Sequence, residues 1–283
     1  MGLEFVGPKL ADFLRQTETL NPENKPVRMY CFRGGQRSQS MSWLLEKGGF
    51  QVELLKGGYK AYRRFVQKSF FEQQKFIVLS GCTGAGKTRT LLEMQERGEQ
   101  IIDLEGLALH RGSAFGGYHQ PPELTTEMFE NKLHREWASL ERGRRVWVED
   151  EGRTLGKCFI PEGFWPQMRG APVVFLDITQ DERVKHLVEE YGSYAHELLL
   201  GSVNRIKKRL GPQTHAICLE ALEERDYAGV AKYCLDYYDE AYLYSLRKRE
   251  ADPVWTLPLE RVDAEAFAHQ VIEFADSHSS TAV

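Results

Sequence analysis

The sequence is short of cysteine, of long apolar runs and of surplus positive charge, and each shortage removes a class of protein. Its five cysteines, Cys31, Cys82, Cys158, Cys218 and Cys234, are odd in number and never form a Cys-x-x-Cys pair. That argues against a disulfide framework or a zinc knuckle and fits a reducing, cytoplasmic setting. No apolar run approaches the roughly 18–20 residues of a membrane helix, and no signal-peptide pattern opens the chain, so no membrane is expected among its partners. Met1-Gly2 is followed by Val6 where a myristoylated chain carries Ser or Thr. With 37 basic against 41 acidic residues the net charge is −4, so the chain is no general nucleic-acid coat. Contact with RNA would need local basic patches. No internal repeat is visible.

What is present suits a soluble protein with a substantial core. Its 283 residues, 42% hydrophobic and 28% charged, make one large domain or two ordinary ones. The organising stretch is Phe76-Ile77-Val78-Leu79-Ser80-Gly81-Cys82-Thr83-Gly84-Ala85-Gly86-Lys87-Thr88. An apolar run leads into Gly-x-x-x-x-Gly-Lys-Thr, and helix formers follow at Leu91 to Gln95. Strand, glycine-rich loop and helix in that order make a phosphate-binding P-loop. The glycines let the backbone curl until successive N–H groups face an anion, over the positive end of the helix. Residues Gly81, Cys82, Thr83, Gly84, Ala85, Gly86, Lys87 and Thr88 are therefore the expected phosphate cradle. Lys87 is its mobile cation, and Thr88 offers a hydroxyl to Mg²⁺.

Ahead of the P-loop, residues 8–20 read as an amphipathic helix begun by Pro8 and broken by the turn at residues 21–26. A strand over 27–30, a helix over 38–47 with Met41, Trp43, Leu44 and Leu45 as apolar members, and a strand over 51–55 follow. Residues 60–75 read as a further helix. Between the first strand and helix lies Cys31-Phe32-Arg33-Gly34-Gly35-Gln36-Arg37-Ser38. A cysteine that leaves a strand and heads a glycine loop opening a helix is placed to be a thiolate. Loop N–H groups, the helix dipole and two arginines all favour the anion. Such a thiolate is a candidate catalytic nucleophile or carrier of sulfur or selenium.

That string, with Trp43-Leu44-Leu45 and Gly57-Gly58-Tyr59-Lys60-Ala61, resembles the active loop of a rhodanese domain. More narrowly, it resembles the rhodanese half of the tRNA 2-selenouridine synthases, where a rhodanese domain precedes a P-loop domain. A rhodanese domain of that family starts well upstream of the strand that carries its cysteine. The resemblance thus implies that the first half is missing, either by truncation or because a separate chain supplies it. Residues 1–68 are then a partial rhodanese-like α/β domain, 69–275 a P-loop NTPase-like parallel-sheet domain with a helical C-terminal part, and 276–283 a loose tail.

Later segments extend the pattern. A short strand near residue 101 ends in Asp103 and Glu105, at the sheet edge where α/β ligands sit. His110, Arg111 and Ser113 then offer phosphate donors on a glycine-bearing loop. Met128, Phe129, Leu133 and Trp137 recur at helical spacing as a core stripe. Arg145-Val146-Trp147-Val148-Glu149-Asp150-Glu151 has the form of an acid-tipped strand beside a P-loop, with Glu149 and Asp150 as candidate metal ligands. The string from Val148 to Gly156 also resembles the family's own pattern, which adds Arg153 as a phosphate ligand. Strands alternating with helices predict a doubly wound parallel sheet. Residues 182–250 read as helical. The four cations among residues 205–209, and tyrosines 237, 238, 242 and 244 followed by Arg247-Lys248-Arg249, suit an unpaired RNA loop.

The resemblance implies a transferase acting on tRNA at the anticodon loop. It would convert wobble 2-thiouridine to 2-selenouridine through an S-geranyl intermediate, using geranyl diphosphate and selenophosphate. On that reading Lys87 and Cys31 are the catalytic residues of successive steps. The residues alone leave two other readings open: an ATP-dependent P-loop kinase of a small molecule or RNA, and a nucleotide-gated RNA-binding module.

Overall fold

A computed structural model describes residues 2–110, 124–192, 194–249 and 253–279. The chain divides into two compact units, Met1–Ser69 and Phe70–Val283. Among the described residues no helix is long and apolar enough to cross a membrane.

The first unit runs α1 (Gly2–Val6), a single 3-10 turn, α2 (Leu10–Leu20), β1 (Val27–Met29), α3 (Gln36–Lys47), β2 (Val52–Leu54) and α4 (Gly58–Ser69). β1 and β2 pair in parallel, with Val27 opposite Val52 and Met29 opposite Leu54. A parallel pair needs a crossover, and α3 supplies it. Leu44, Leu45, Phe50 and Val66 are buried. Trp43, expected among the apolar members of α3, is 58% exposed, because a residue next to Leu44 and Leu45 points off their face. The helix expected over residues 60–75 stops at Ser69.

The second unit carries β3 (Lys75–Gly81), α5 (Lys87–Glu96), β4 (Gln100–Ile102), α6 (Leu104–Ala108), α7 (Thr126–Ser139) and β5 (Arg145–Glu149). A hairpin of β6 (Thr154–Leu155) and β7 (Cys158–Phe159) precedes α8 (Trp165–Gly170) and β8 (Val173–Ile178). Four helices follow: α9 (Gln180–Tyr191), α10 (His196–Arg205), α11 (Lys207–Glu223) and α12 (Tyr227–Arg247). The chain then returns as β9 (Val254–Leu259) and α13 (Ala264–Ser279). The turn before β3 is held by Gln167, whose Oε1 accepts from the Gln74 amide at 3.0 Å while its Nε2 donates to the Phe70 carbonyl at 2.8 Å.

One parallel sheet of order β4-β5-β3-β8-β9 puts the P-loop strand at its centre. β3, β5 and β8 are near-continuous apolar runs because both faces are covered. Ile77, Leu79 and Trp147 pack on one side with Leu91 and Met94 of α5 and Phe267 and Val271 of α13. On the other, Phe76 meets Phe164 and Trp137 at ring distances of 4.8 and 5.9 Å. Phe129, Leu133 and Trp137 are buried as their spacing predicts, whereas Met128 is 49% exposed at the first turn of α7. Helices α9 to α12 build a core of their own around Val203, Ile206, Cys218, Leu222 and Cys234. α13 overruns into the expected tail as far as Ser279: His278 Nδ1 lies 2.7 Å from the Phe274 carbonyl and its ring stacks on Phe274 at 4.1 Å.

Candidate phosphate and thiolate sites

At the end of β3 the backbone must turn sharply without side-chain obstruction. Gly81 has a φ of 156°, and a Cβ there would lie 3.2 Å from the Leu176 carbonyl oxygen. Gly84 and Gly86 take φ values of +84° and +75°, a left-handed pair that a side chain would strain. The Ala85 amide closes the loop on the Cys82 carbonyl at 3.1 Å, and α5 starts at Lys87. A cleft of about 610 Å³ opens above this turn, lined by residues 83–88 together with Asp103, Glu105 and Glu151. Lys87 Nζ donates to the Gly81 carbonyl at 2.8 Å and stands 5.3 Å from the centre of the Tyr242 ring. Cys82 is buried, and burial, with the charge of Asp239 behind it, pushes its thiol up to about 11; it is wall, not nucleophile.

Two latches from the helical region fix the loop. Buried Arg183 of α9 donates to the Thr83 carbonyl at 3.0 Å and forks onto Asp239 of α12 at 2.9 and 2.6 Å. The Tyr242 hydroxyl of α12 sits 2.9 Å from Ser80 Oγ, accepts the Gly81 amide at 3.2 Å and donates to Asp150 Oδ2 at 3.1 Å. Asp150 also accepts from Ser80 Oγ at 2.9 Å, pairs with buried Arg249, and has Arg169 at 3.7 Å.

The acids divide by strand alternation. Glu149 and Glu151 fall to the Thr88 side, and Asp150 turns away from it to the cations just named. Of the two expected metal ligands, Glu149 Oε2 is reached by the Glu105 amide, while Asp150 borders the cleft with its carboxylate engaged by Ser80, Tyr242 and Arg249. Thr88 Oγ1 donates to Glu105 Oε2 at 3.0 Å, and the Glu105 amide reaches Glu149 Oε2 at 3.4 Å. Asp103 lies beyond its strand as the cap of α6, accepting from the Gly106 amide at 2.7 Å. Burial, then the negative charges of Glu105 and Asp103, hold the Glu149 carboxyl well above the usual range. Burial and Glu105 push Glu151 up to about 8. Burial also raises Glu105, against the pull of Lys87.

Among the described residues no three His, Cys, Asp or Glu side chains form a ready cage for a metal. The donor set nonetheless fits Mg²⁺, which takes one or two carboxylates and completes its shell with water and phosphate oxygens. Among the described residues Oε1 of buried Glu149 has no hydrogen-bond partner, and a cation beside Thr88 would relieve both that atom and the crowded carboxylates.

Of the remaining expected ligands, His110 is half-buried where α6 ends, its amide donating to the Glu105 carbonyl at 3.0 Å. Arg153 is exposed beside the β6–β7 hairpin. Arg111 and Ser113 lie outside the described residues. Tyr242, expected on an RNA-stacking surface, is instead turned into the P-loop, and Tyr238 lines the same cleft. Arg183, Asp239 and Arg249 had no local sequence signal, since their partners lie 56 to 100 positions away.

In the first unit, β1 delivers Cys31 to a loop that turns at Gly34, φ +68°. The Gly35 amide donates to the sulfur at 3.1 Å and the Ser38 hydroxyl at 3.3 Å. Gly58 presses on this loop so closely that a Cβ would meet the Cys31 carbonyl oxygen at 2.2 Å. The Ser38 hydroxyl, then the Ser38 amide, lower the thiol to about 6, so the sulfur is a thiolate at neutral pH.

Residues 74–270 match the family model described as the tRNA 2-selenouridine synthase AAA domain. The chain belongs to the tRNA 2-selenouridine synthase family, a family of enzymes. The matched span holds the P-loop, the acids and the α9–α12 region; the Cys31 loop precedes it. A tRNA 2-selenouridine synthase of Marinobacter nauticus is 33% identical over 258 residues, 79% of this chain and 69% of that protein. One from Sulfurovum sp. is 36% identical over 254 residues, 78% of this chain and 68% of the other. A weaker likeness, TM-score 0.38 at 13% identity, covers 72% of this chain and 96% of a solved tRNA isopentenylpyrophosphate transferase from Bacillus halodurans.

Proposed function

We propose that the chain is a tRNA-modifying transferase that converts wobble 2-thiouridine to 2-selenouridine in two steps, using geranyl diphosphate and then selenophosphate. The observation that supports this reading is the glycine-turned loop after β3, with Lys87 and Thr88 opening α5, in a member of this family. In the first step the thiouridine sulfur attacks C1 of the geranyl group. An S–C bond forms, the C–O bond breaks, the diphosphate leaves with the electron pair, and the base gives up its N3 proton. The loop amides and Lys87 take the charge that develops on the departing diphosphate. Mg²⁺, held by Thr88 and Glu149 with Glu105 and Glu151 beside them, would add charge neutralisation when bound. The Cys31 thiolate is assigned to assist the selenium step, in which the selenium of selenophosphate adds at C2 of the base, the C2–S bond breaks with geranylthiolate leaving, and water cleaves the P–Se bond to release phosphate. Exposed Arg205, Lys207, Lys208 and Arg209 offer a basic patch for the tRNA backbone.

The test is mass spectrometry of 2-thiouridine tRNA incubated with the protein, Mg²⁺ and geranyl diphosphate, with and without selenophosphate. A geranyl mass on the wobble base is expected without selenophosphate, and selenouridine with it. Lys87→Ala is expected to abolish both products, and Cys31→Ala to block selenium incorporation while sparing geranylation. Full selenouridine formation by Cys31→Ala would refute that division. No mass change alongside Lys87-dependent ATP turnover would favour a kinase.

A further inference from the structure

The Cys31 loop sits among exposed rings and cations. It forms an open pocket of about 490 Å³ lined by Cys31, Phe32, Arg33, Gln36 and Arg37. The first turn of α4 is tied to it: the Tyr59 amide donates to the Cys31 carbonyl at 3.0 Å, and the Lys60 amide to the Phe32 carbonyl at 2.9 Å. The Tyr30 ring, just after β1, stacks on Tyr59 at 5.9 Å, and Tyr59 meets Tyr62 at 6.0 Å. Tyr30 remains 60% exposed and Phe32 54%. Charge here is one-sided. Residues 54–71 hold Lys56, Lys60, Arg63, Arg64 and Lys68 without one acid, and residues 24–45 also lack acids, in a chain of net charge −4. Lys60, Arg64 and Lys68 recur four apart on α4 as an exposed stripe. Among the described residues Arg33, Arg37, Lys60 and Arg64 have no acidic partner. An apolar protein surface laid over this face would leave those cations without counter-charge. A single strand of nucleic acid brings phosphates for the cations and bases for the rings.

We propose that this face of the first unit binds an unpaired RNA segment, with bases stacked on Phe32 and Tyr30 and phosphates on Arg33, Arg37, Lys60 and Arg64, so that one base is presented at Cys31. The proposal rests on the tRNA-modification reading above and adds the surface that tells a loop from a duplex. Bases in a duplex are stacked on one another and have no free face to offer the rings. Residues 205–209 have charge but no aromatic side chain, so they take the backbone of either form.

The experiment measures fluorescence anisotropy of the full chain with a labelled anticodon stem-loop carrying 2-thiouridine, and with a fully paired RNA duplex of the same nucleotide number. The stem-loop is expected to bind at least about 10-fold tighter. Phe32→Ala and Tyr30→Ala should each weaken the stem-loop about 10-fold and leave the duplex unaffected. Phe32→Trp should retain binding, whereas Phe32→Leu, apolar but without a ring, should lose it as Phe32→Ala does. Lys60→Gln combined with Arg64→Gln should lower the salt slope of stem-loop binding by about 0.7 per cation and leave the duplex slope in place. Because Phe32, Lys60 and Arg64 are exposed, these substitutions should not move the melting temperature, which separates lost binding from lost folding. Unaltered stem-loop affinity in the variants, equal losses for stem-loop and duplex, or normal binding by Phe32→Leu overturns the proposal. If affinity is unaltered while tRNA is still modified, the surface assignment fails and the transferase reading stands. If the expected losses appear but no base is ever modified, the surface assignment stands and the reaction assigned to it fails.

Discussion

At Cys31 the sulfur is held as a thiolate chiefly by the Ser38 hydroxyl and amide, with the Gly35 amide also donating. Alkylation by iodoacetamide should therefore rise through about pH 6, and Ser38→Ala should move that midpoint up towards the ordinary cysteine range. The other four cysteines are buried and should not contribute in the folded protein. A midpoint that stays put in Ser38→Ala would show that the hydroxyl is not the cause. The thiolate itself could be read from a cysteine at a strand end before a glycine loop and a helix. Its cause could not: Arg33 and Arg37 draw attention in the sequence, but the leading causes are hydrogen bonds from Ser38. The acids followed a similar course. That carboxylates would crowd Thr88 follows from an acid-tipped strand beside a P-loop, and period-two alternation separates Asp150 from its neighbours. Which side faced the loop depended on Ser80, Tyr242 and Arg249, none of which is local to that strand.

At the scale of the element, α12 braces the P-loop through Tyr242. Tyr242→Phe keeps the ring near Lys87 but strips the Gly81 amide and Asp150 of a partner. Loss of about 1–3 kcal/mol of stability is expected for buried groups left unsatisfied, measured by urea unfolding, with weaker binding of inorganic diphosphate. Tyr244→Phe, at a 56% exposed position on the same helix, should change neither, and equal effects of the two substitutions would refute the brace. Tyr238 and Tyr242 are one turn apart and share a face, so helical spacing alone pairs them. It does not say whether that face looks at solvent or at the loop. Strands β3, β5 and β8 were legible because burial on both faces leaves unbroken apolar runs. β9 was not: it is an edge strand with alternating exposure and a proline opposite Asp177 in the ladder, which an edge position tolerates.

Over the whole molecule, the crowded carboxylates tie stability to pH. Glu105, Glu149 and Glu151 all titrate above their ordinary values in the folded chain. A raised folded pKa means that the folded state holds its proton more tightly than the unfolded one. The stability so gained is present below the ordinary glutamate pKa and is lost as pH climbs through the folded value, about 8 for Glu151. The melting temperature of the ligand-free protein is thus expected to fall between pH 5 and pH 8, and to fall less in Glu151→Gln. Mg²⁺ with diphosphate should raise it more at pH 8 than at pH 5. A flat profile in the unsubstituted protein would count against the cluster. The outermost strand has a different reach. β9 pairs with β8, and Val262 just after it stands where a Cβ on Gly86 would come within 2.9 Å. The P-loop is thus buttressed by a segment made well after it. On the ribosome the cradle emerges long before its buttress, and the nascent sheet must wait with an open edge. A frameshift upstream of codon 254 should therefore silence the enzyme as thoroughly as one in the P-loop, and leave a fragment that holds to chaperones.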